Sequence, residues 1–362
     1  MKKIAYYISD YGFGHGARSV AVIRRLLEWS KDVHLTVCTS YSLPFIKRSL
    51  GDDNQQVGYR HVENDIGFRL LPNSVLPDVE GFREDYFNYI ERSSSYIEQE
   101  KQFLLENEID LVIGDIPPFP FVAAKEANIP SIGISNFSWY TVYKDWLSPS
   151  DLSVSKEAYE CMDLFIELAG SQEPHWGKSE PVQVDFFSRH IDQERVSDIR
   201  KQIDPTGTKH IVYFGLGMKI QVDLLQNLPI WQSPNCLFIV ASNAAIEGDH
   251  VFKIPIEDTE TQNYIAAADL VISKPGWGTL SEAIQGHVPL LIINRSTMIE
   301  DQNNIRLLQD RDRCALINWE DFKQFTLTDT FLAEVKQQAH IQTADGEQEL
   351  DKIAKTVTGW LK

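Results

Sequence analysis

The sequence predicts an α/β protein built from two successive units, each a parallel β-sheet covered by helices. Two observations carry this. Short apolar, β-rich runs alternate with stretches of helical periodicity, and the alternation restarts past the middle of the chain after a stretch containing prolines and glycine. The runs are apolar on both faces, which suits strands buried between two layers of helices. At 362 residues the chain has room for two cores of ordinary domain size.

In chain order, residues 4–8 form the first expected strand. Residues 16–29 form the first helix, with Val20, Ile23 and Leu27 on one face. Strands follow at 33–38, 111–115 and 131–135. Between Glu173 and Pro205 lie Pro174, Gly177, Pro181 and then a charged helical segment at 193–202, which together mark the boundary. The pattern resumes with strands at 211–214, 237–241, 270–273 and 289–294. The expected domains are residues 1–190 and 191–345, followed by a closing amphipathic helix over 346–362.

Apolar residues make up 43% and charged residues 24%. This ordinary globular usage excludes intrinsic disorder, collagen and small disulfide scaffolds. Asp and Glu outnumber Lys and Arg 52 to 34, a net charge of −18. Such a surface repels phosphate backbones and anionic lipid, so nucleic acid is not an expected partner. Met1-Lys2-Lys3-Ile4 reaches Ser9-Asp10 too early for a secretory hydrophobic region. No apolar run approaches the ~18 residues of a transmembrane segment. Cys38, Cys161, Cys236 and Cys314 are widely spaced, as buried thiols of a reducing compartment are. These features predict a cytoplasmic protein.

Ligands of open parallel sheets lie beyond the carboxyl ends of the strands, so the informative loops follow strands. The first is Ser9-Asp10-Tyr11-Gly12-Phe13-Gly14-His15-Gly16-Ala17-Arg18. Gly14 and Gly16 let a backbone come close to a ligand, and the helix N-terminus favours an anion. An unperturbed imidazole titrates near neutral pH, which suits His15 to general-base work. The alternative is an exposed histidine on a glycine-rich turn. The spacing Gly12-x-Gly14-x-Gly16 departs from the dinucleotide fingerprint, and Cys38-Thr39-Ser40 supplies no acidic residue after the second strand. Asp115 ends the next run; a carboxylate there either orients a histidine or caps a helix.

In the second unit, Ser273-Lys274-Pro275-Gly276-Trp277-Gly278-Thr279-Leu280-Ser281-Glu282 follows the strand at 270–273. Gly276 and Gly278 free N–H groups at a helix start, Thr279 can cap it, and Lys274 adds a cation. This makes a cradle for a diphosphate. Thr279-x-x-Glu282 reads either as a capping box or as a carboxylate placed for ribose hydroxyls. Glu300-Asp301-Gln302-Asn303-Asn304 offers donors and acceptors for sugar hydroxyls, or else a solvated helix start. Phe214-Gly215-Leu216-Gly217-Met218 opens the second unit at a strand end.

The run from Lys274 to Ala283, followed by Pro289, Asp301-Gln302 and Asn304, resembles the nucleotide-sugar signature of GT-B glycosyltransferases. It is similar to the C-terminal halves of the lipid II-forming N-acetylglucosaminyltransferase, monogalactosyldiacylglycerol synthases and UDP-glycosyltransferases. Gly12 to Arg18 and Ser135-Asn136-Phe137-Ser138-Trp139 resemble the glycosyltransferase-like domain of plant L-arabinokinases.

The resemblance implies a GT-B fold, two Rossmann-like domains whose parallel sheets face an interdomain cleft. It implies that Gly276, Trp277, Gly278 and Thr279 hold the diphosphate and Glu282 the ribose, while Asp301 and Gln302 hold the donor sugar. Gly215, Gly217 and Met218 approach the diphosphate or sugar, and Ile254 lies where relatives contact the base. His15 matches the catalytic base of many UDP-glycosyltransferases, and Asp115 matches its partner. The phosphate-binding histidine of plant UDP-glycosyltransferases is absent here, leaving Lys274 or backbone N–H groups to serve, and Arg18 stands where many relatives have a small residue or proline. The implied activity is metal-independent, inverting transfer from a nucleotide-sugar, UDP-linked, to a small or soluble acceptor near Arg18, Asn136 and Trp139. No cofactor is implied beyond the nucleotide-sugar co-substrate. Phe82, Tyr86, Phe87, Tyr89 and Tyr96 offer an acceptor wall or a core stripe. Lys47-Arg48 and Arg24-Arg25 are the basic pairs that an anionic surface would meet, or solvated helix faces. Two other readings stay open: a sugar-nucleotide sensor without catalysis, and a sugar-nucleotide epimerase.

Overall fold

The computed structural model describes residues 1–71, 76–216, 223–294, 298–340 and 343–361, with the side chains of 223–224 and 339–340 left aside. The chain divides into two compact units. One comprises Met1–Arg69, Pro77–Asp185 and Glu347–Lys362; the other comprises Leu70–Leu76 and Phe186–Gly346.

In the first unit the apolar runs become β1 (Lys2–Ile8), β2 (Val33–Thr39), β3 (Val57–His61), β4 (Leu111–Asp115), β5 (Ser131–Ser135), β6 (Leu164–Leu168) and β7 (Val182–Val184). They pair in parallel in the order β3-β2-β1-β4-β5-β6-β7. The order reverses between β1 and β4, and β4 is buried along its whole length. Loops leaving the carboxyl ends of these two strands open at the reversal, where open α/β sheets bind ligands. The helices are α1 (Phe13–Trp29), α2 (Leu43–Leu50), α3 (Val79–Glu106), α4 (Phe119–Glu126), α5 (Trp139–Tyr143) and α6 (Ser153–Tyr159).

The second unit repeats the plan. Its strands are β8 (His210–Gly215), β9 (Cys236–Val240), β10 (Val251–Lys253), β11 (Leu270–Ser273), β12 (Leu290–Asn294) and β13 (Ala315–Asn318). They too are parallel, in the order β10-β9-β8-β11-β12-β13. The helices are α7 (Gln193–Ile203), α8 (Asp223–Gln226), α9 (Thr261–Ala266), α10 (Trp277–Gln285), α11 (Ile299–Asp310), α12 (Trp319–Phe322) and α13 (Asp329–Val335). Phe214, Trp231, Phe238, Ile272, Leu291 and Phe322 are among the side chains that fill one face of the sheet. The carboxyl ends of β8 and β11 lie at the reversal point here.

The closing helix α14 (Gly346–Gly359) returns to the first unit. Arg25 of α1 pairs with its Glu347 and Asp351, and Glu349 accepts from the Asp185 N–H at 2.8 Å. Arg24 donates to the Ser49 carbonyl at 2.6 Å. Both arginines therefore serve internal ties.

Strands β3, β6, β7, β10 and β13 lie outside the predicted runs. Four of the five are at sheet edges, where one side meets water and the apolar signal thins. The aromatic stripe on α3 is mostly core: Phe82 and Tyr86 are buried, and Tyr89 and Tyr96 donate to the Asn64 carbonyl and Oδ1 at 2.8 and 2.9 Å. Only Phe87 of the five is exposed, so the acceptor-wall reading fails for this stripe. All four cysteines are free thiols. Among the described residues no helix is long and apolar enough to cross a membrane.

Candidate active site

In the first unit α1 begins straight after β1, with Gly12 as its N-cap at φ 86°. Side chains rarely tolerate that conformation, so glycine is what permits so sharp an entry. The entry puts His15 in the first turn and Arg18 three residues on, along one helix face. His15 Nδ1 lies 2.9 Å from Asp115 Oδ1, and its ring is 9% exposed, so only an edge reaches solvent. Arg18 Nε and Nη2 donate to Asp115 Oδ2 and Oδ1 at 2.8 and 2.5 Å, and Ser19 Oγ donates to Oδ2 at 3.1 Å. Asp115 is therefore neither a helix cap nor a turn residue; α4 starts later, behind Pro118.

Arg18 also donates from Nη1 to Asn136 Oδ1 at 2.7 Å and from Nη2 to Ser135 Oγ at 3.0 Å, and Nη2 stands 2.8 Å from His15 Nδ1. Nη2 carries two hydrogens. Assigning them to Asp115 and Ser135 leaves Nδ1–H to donate to Asp115 Oδ1. Burial pushes the Asp115 carboxyl up, but Arg18 and His15 outweigh it and hold the group well below the usual carboxylate range.

Three expected acceptor contacts find other partners. Arg18 is buried as the counter-ion of Asp115. Asn136 is buried and accepts from Arg18. Trp139 is buried among Tyr11, Phe137 and Tyr143, and its Nε1 donates to Asp65 Oδ2 at 2.8 Å. An amphipathic indole buries its ring wherever its N–H finds an acceptor. Gly14 has open space around its α-carbon, whereas Gly16 packs against Phe45 and Ser42.

Two further features carried no sequence signal. Ile116, directly after Asp115, sits at φ 68°, a costly conformation for a β-branched residue. The second is a carboxylate pair. Asp10 accepts from the Thr39 hydroxyl and from the N–H groups of Ser40, Tyr41 and Asn64. Asp65 accepts from the Asp10 N–H at 3.0 Å. Burial and the neighbouring Asp10 push the Asp65 carboxyl up to about 7.

In the second unit α10 begins at Trp277 with Gly276 as N-cap and no side-chain cap. Thr279 is therefore inside the helix, and the capping-box reading is wrong. Glu282 instead accepts from Arg189 Nη2 and Nε at 2.7 and 3.3 Å. Arg189 is fully enclosed and also donates to the Thr259 carbonyl and to Thr261 Oγ1. The Trp277 side chain is core, packed on Phe186 and Phe187, so only its backbone faces the helix start. Gly276, Gly278, Thr279 and Lys274 are partly exposed there. A Cβ on Gly215 would stand 2.8 Å from the Tyr213 ring, so packing requires that glycine. The Ile254 N–H donates to the Val240 carbonyl at 3.0 Å. Gly217 and Met218 lie outside the described residues.

On α11, Asp301, Asn303 and Asn304 are buried and Gln302 is exposed. The N-cap is Met298, so the solvated-start reading does not hold. Asn304 Nδ2 donates to the Pro275 carbonyl at 2.9 Å and ties α11 to the turn before α10. Metal independence is expected from the lack of an Asp-x-Asp motif, yet the sequence contains one, Asp310-Arg311-Asp312, exposed where α11 ends. Among the described residues no three His, Cys, Asp or Glu side chains group as metal ligands.

Residues 250–357 match the glycosyltransferase family 28 C-terminal domain. The L-arabinokinase of Arabidopsis thaliana is 25% identical over 82% of this chain and 28% of its own length. A processive diacylglycerol beta-glucosyltransferase of Staphylococcus epidermidis is 23% identical over 55% of this chain and 54% of its own. The chain thus spans between a quarter and about half of these relatives. Among solved structures, Medicago truncatula UGT71G1 complexed with UDP-glucose superposes with a TM-score of 0.62 at 14% identity, over 100% of this chain and 98% of that one. The protein has the GT-B fold, and residues 250–357, most of them in the second unit, are similar to the glycosyltransferase family 28 C-terminal domain.

Proposed function

We propose that this protein is a metal-independent, inverting glycosyltransferase that moves a sugar from a nucleotide-sugar, UDP-linked, to a hydroxyl of a small or soluble acceptor. The observation that carries the reading is the 2.9 Å contact between His15 and Asp115 at the sheet reversal. The family 28 match over α10 and α11 supports the donor half.

In the reaction, the acceptor hydroxyl gives its proton to His15 Nε2, while Nδ1–H is held by Asp115. The acceptor oxygen attacks the anomeric carbon from the face opposite the diphosphate. The carbon–oxygen bond to the diphosphate breaks, and its electron pair leaves on the diphosphate oxygen. First-turn amides of α10 and Lys274 stabilise that charge. Glu282, braced by Arg189, takes the ribose, and Asp301 and Gln302 take sugar hydroxyls. The test is UDP release from a panel of UDP-sugars by wild type and His15→Ala. Undiminished turnover in the variant refutes His15 as the base.

One observation favours a second reading, a sugar-nucleotide sensor: Arg18 already balances the Asp115 charge. Saturable UDP-sugar binding with neither hydrolysis nor transfer across many acceptors would support it.

A further inference from the structure

The terminal torsion of an aspartate is broad, so hydrogen-bond donors fix where its two oxygens point. In Asp115 the two oxygens are held differently. Oδ1 meets His15 Nδ1 at 2.9 Å and Arg18 Nη2 at 2.5 Å, while Oδ2 accepts from Arg18 Nε at 2.8 Å and from the Ser19 hydroxyl at 3.1 Å. His15, Arg18 and Ser19 stand at i, i+3 and i+4 of α1, so one helix face supplies all of these contacts.

Ser19 is costly where it stands. It is fully buried inside a 17-residue helix, where alanine is the better helix former. A serine in such a place usually turns its hydroxyl to solvent or back to the carbonyl four residues earlier, here that of His15. Ser19 instead reaches across to Asp115. Behind it, Tyr6 of β1 is fully buried, and its hydroxyl hydrogen-bonds Ser19. Burial and the Asp115 charge push the Tyr6 hydroxyl up, so it keeps its proton. A carboxylate can only accept, and a serine has one proton to give. The Ser19 proton therefore goes to Asp115 and the Tyr6 proton to Ser19 Oγ, which sets the direction of the hydrogen bonds from β1 to the carboxylate.

We propose that Ser19 is a positioning residue for the His15–Asp115 pair: its hydroxyl, aimed by Tyr6, pins Oδ2 and so keeps Oδ1 in line with His15 Nδ1. The effect on rate rests on the transfer reading above; the effect on the pair does not.

The test compares the full chain as wild type, Ser19→Ala and Tyr6→Phe. UDP release with a UDP-sugar and an acceptor gives kcat and KM. Ser19→Ala should lower kcat by about 10-fold or more, with KM for donor and acceptor near wild type. Tyr6→Phe keeps the Ser19 contact, and its kcat should stay within about threefold of wild type. An unchanged kcat in Ser19→Ala, a rise in KM in its place, or an equal loss in Tyr6→Phe overturns the proposal. A second arm needs no substrate. The NMR resonance of the His15 Nδ1–H, identified by its loss in His15→Gln, should be present in wild type and Tyr6→Phe and should shift or broaden in Ser19→Ala. A wild type without that resonance, or a resonance unchanged in Ser19→Ala, also overturns the proposal. If Ser19→Ala strands the Tyr6 hydroxyl and fails to fold, the double variant with Tyr6→Phe removes both hydroxyls and takes its place in both arms. No turnover by wild type with any donor and acceptor refutes the transfer reading instead, and the resonance then decides the role of Ser19.

Discussion

The Tyr159 hydroxyl donates to the Ile116 carbonyl across 2.6 Å and accepts from the Trp139 N–H at 3.0 Å. One buried side chain thus stitches the loop after β4 to the loop after β5, and holds Ile116 at φ 68° next to Asp115.

Tyr159→Phe should therefore leave a buried carbonyl and a buried N–H without partners. The expected loss is about 1–3 kcal/mol of unfolding free energy, read from the shift of a urea midpoint. If the loop positions Asp115 for the proposed reaction, kcat should fall more than KM rises. An unchanged midpoint would mean that the backbone holds Ile116 by itself.

Asp65 makes stability depend on pH in the opposite sense from most carboxylates. Its folded-state value, about 7, lies above the ordinary one because burial and Asp10 disfavour the charge. Its contribution is fully present below about pH 4 and is lost as the pH rises through 7. The wild-type melting temperature should carry a declining component between about pH 5 and 8, and Asp65→Asn should remove it. A slope unchanged in the variant would assign that proton to another group.

Asp115 works the other way. Burial opposes its charge, but Arg18 and His15 outweigh burial and lower the group. The pair therefore stabilises the fold above the unfolded value of about 4, and that contribution fades as the pH falls below it. Arg18→Met strands a buried carboxylate and should cost about 3–5 kcal/mol at pH 7. Denaturant unfolding at pH 7 and pH 3 should show the gap to wild type narrowing in acid.

Arg189 braces Glu282 from within the second unit. Arg189→Met should weaken UDP binding measured by calorimetry and destabilise this unit by about 3–5 kcal/mol. Adding Glu282→Gln should recover stability without recovering UDP binding. Recovery of both would remove Glu282 from the donor site.

The two-unit plan was legible from local apolar runs, and the pairing of His15 with Asp115, 100 positions apart, from the family resemblance. What stayed hidden depends on partners far apart in the chain. Arg189 meets Glu282 across 93 positions, and Trp139 meets Asp65 across 74. No local pattern announces such pairs. The capping box at Thr279 failed because α10 starts two residues earlier, at Trp277. Arg18 is expected from the resemblance near the acceptor, yet a buried carboxylate claims it.

The most direct measurement is UDP release from UDP-sugars with a panel of acceptors, by wild type, His15→Ala and Asp115→Asn. The account predicts acceptor-dependent release by wild type and a fall of about 100-fold or more in His15→Ala, with UDP affinity retained in both variants. Equal turnover in wild type and His15→Ala would contradict it.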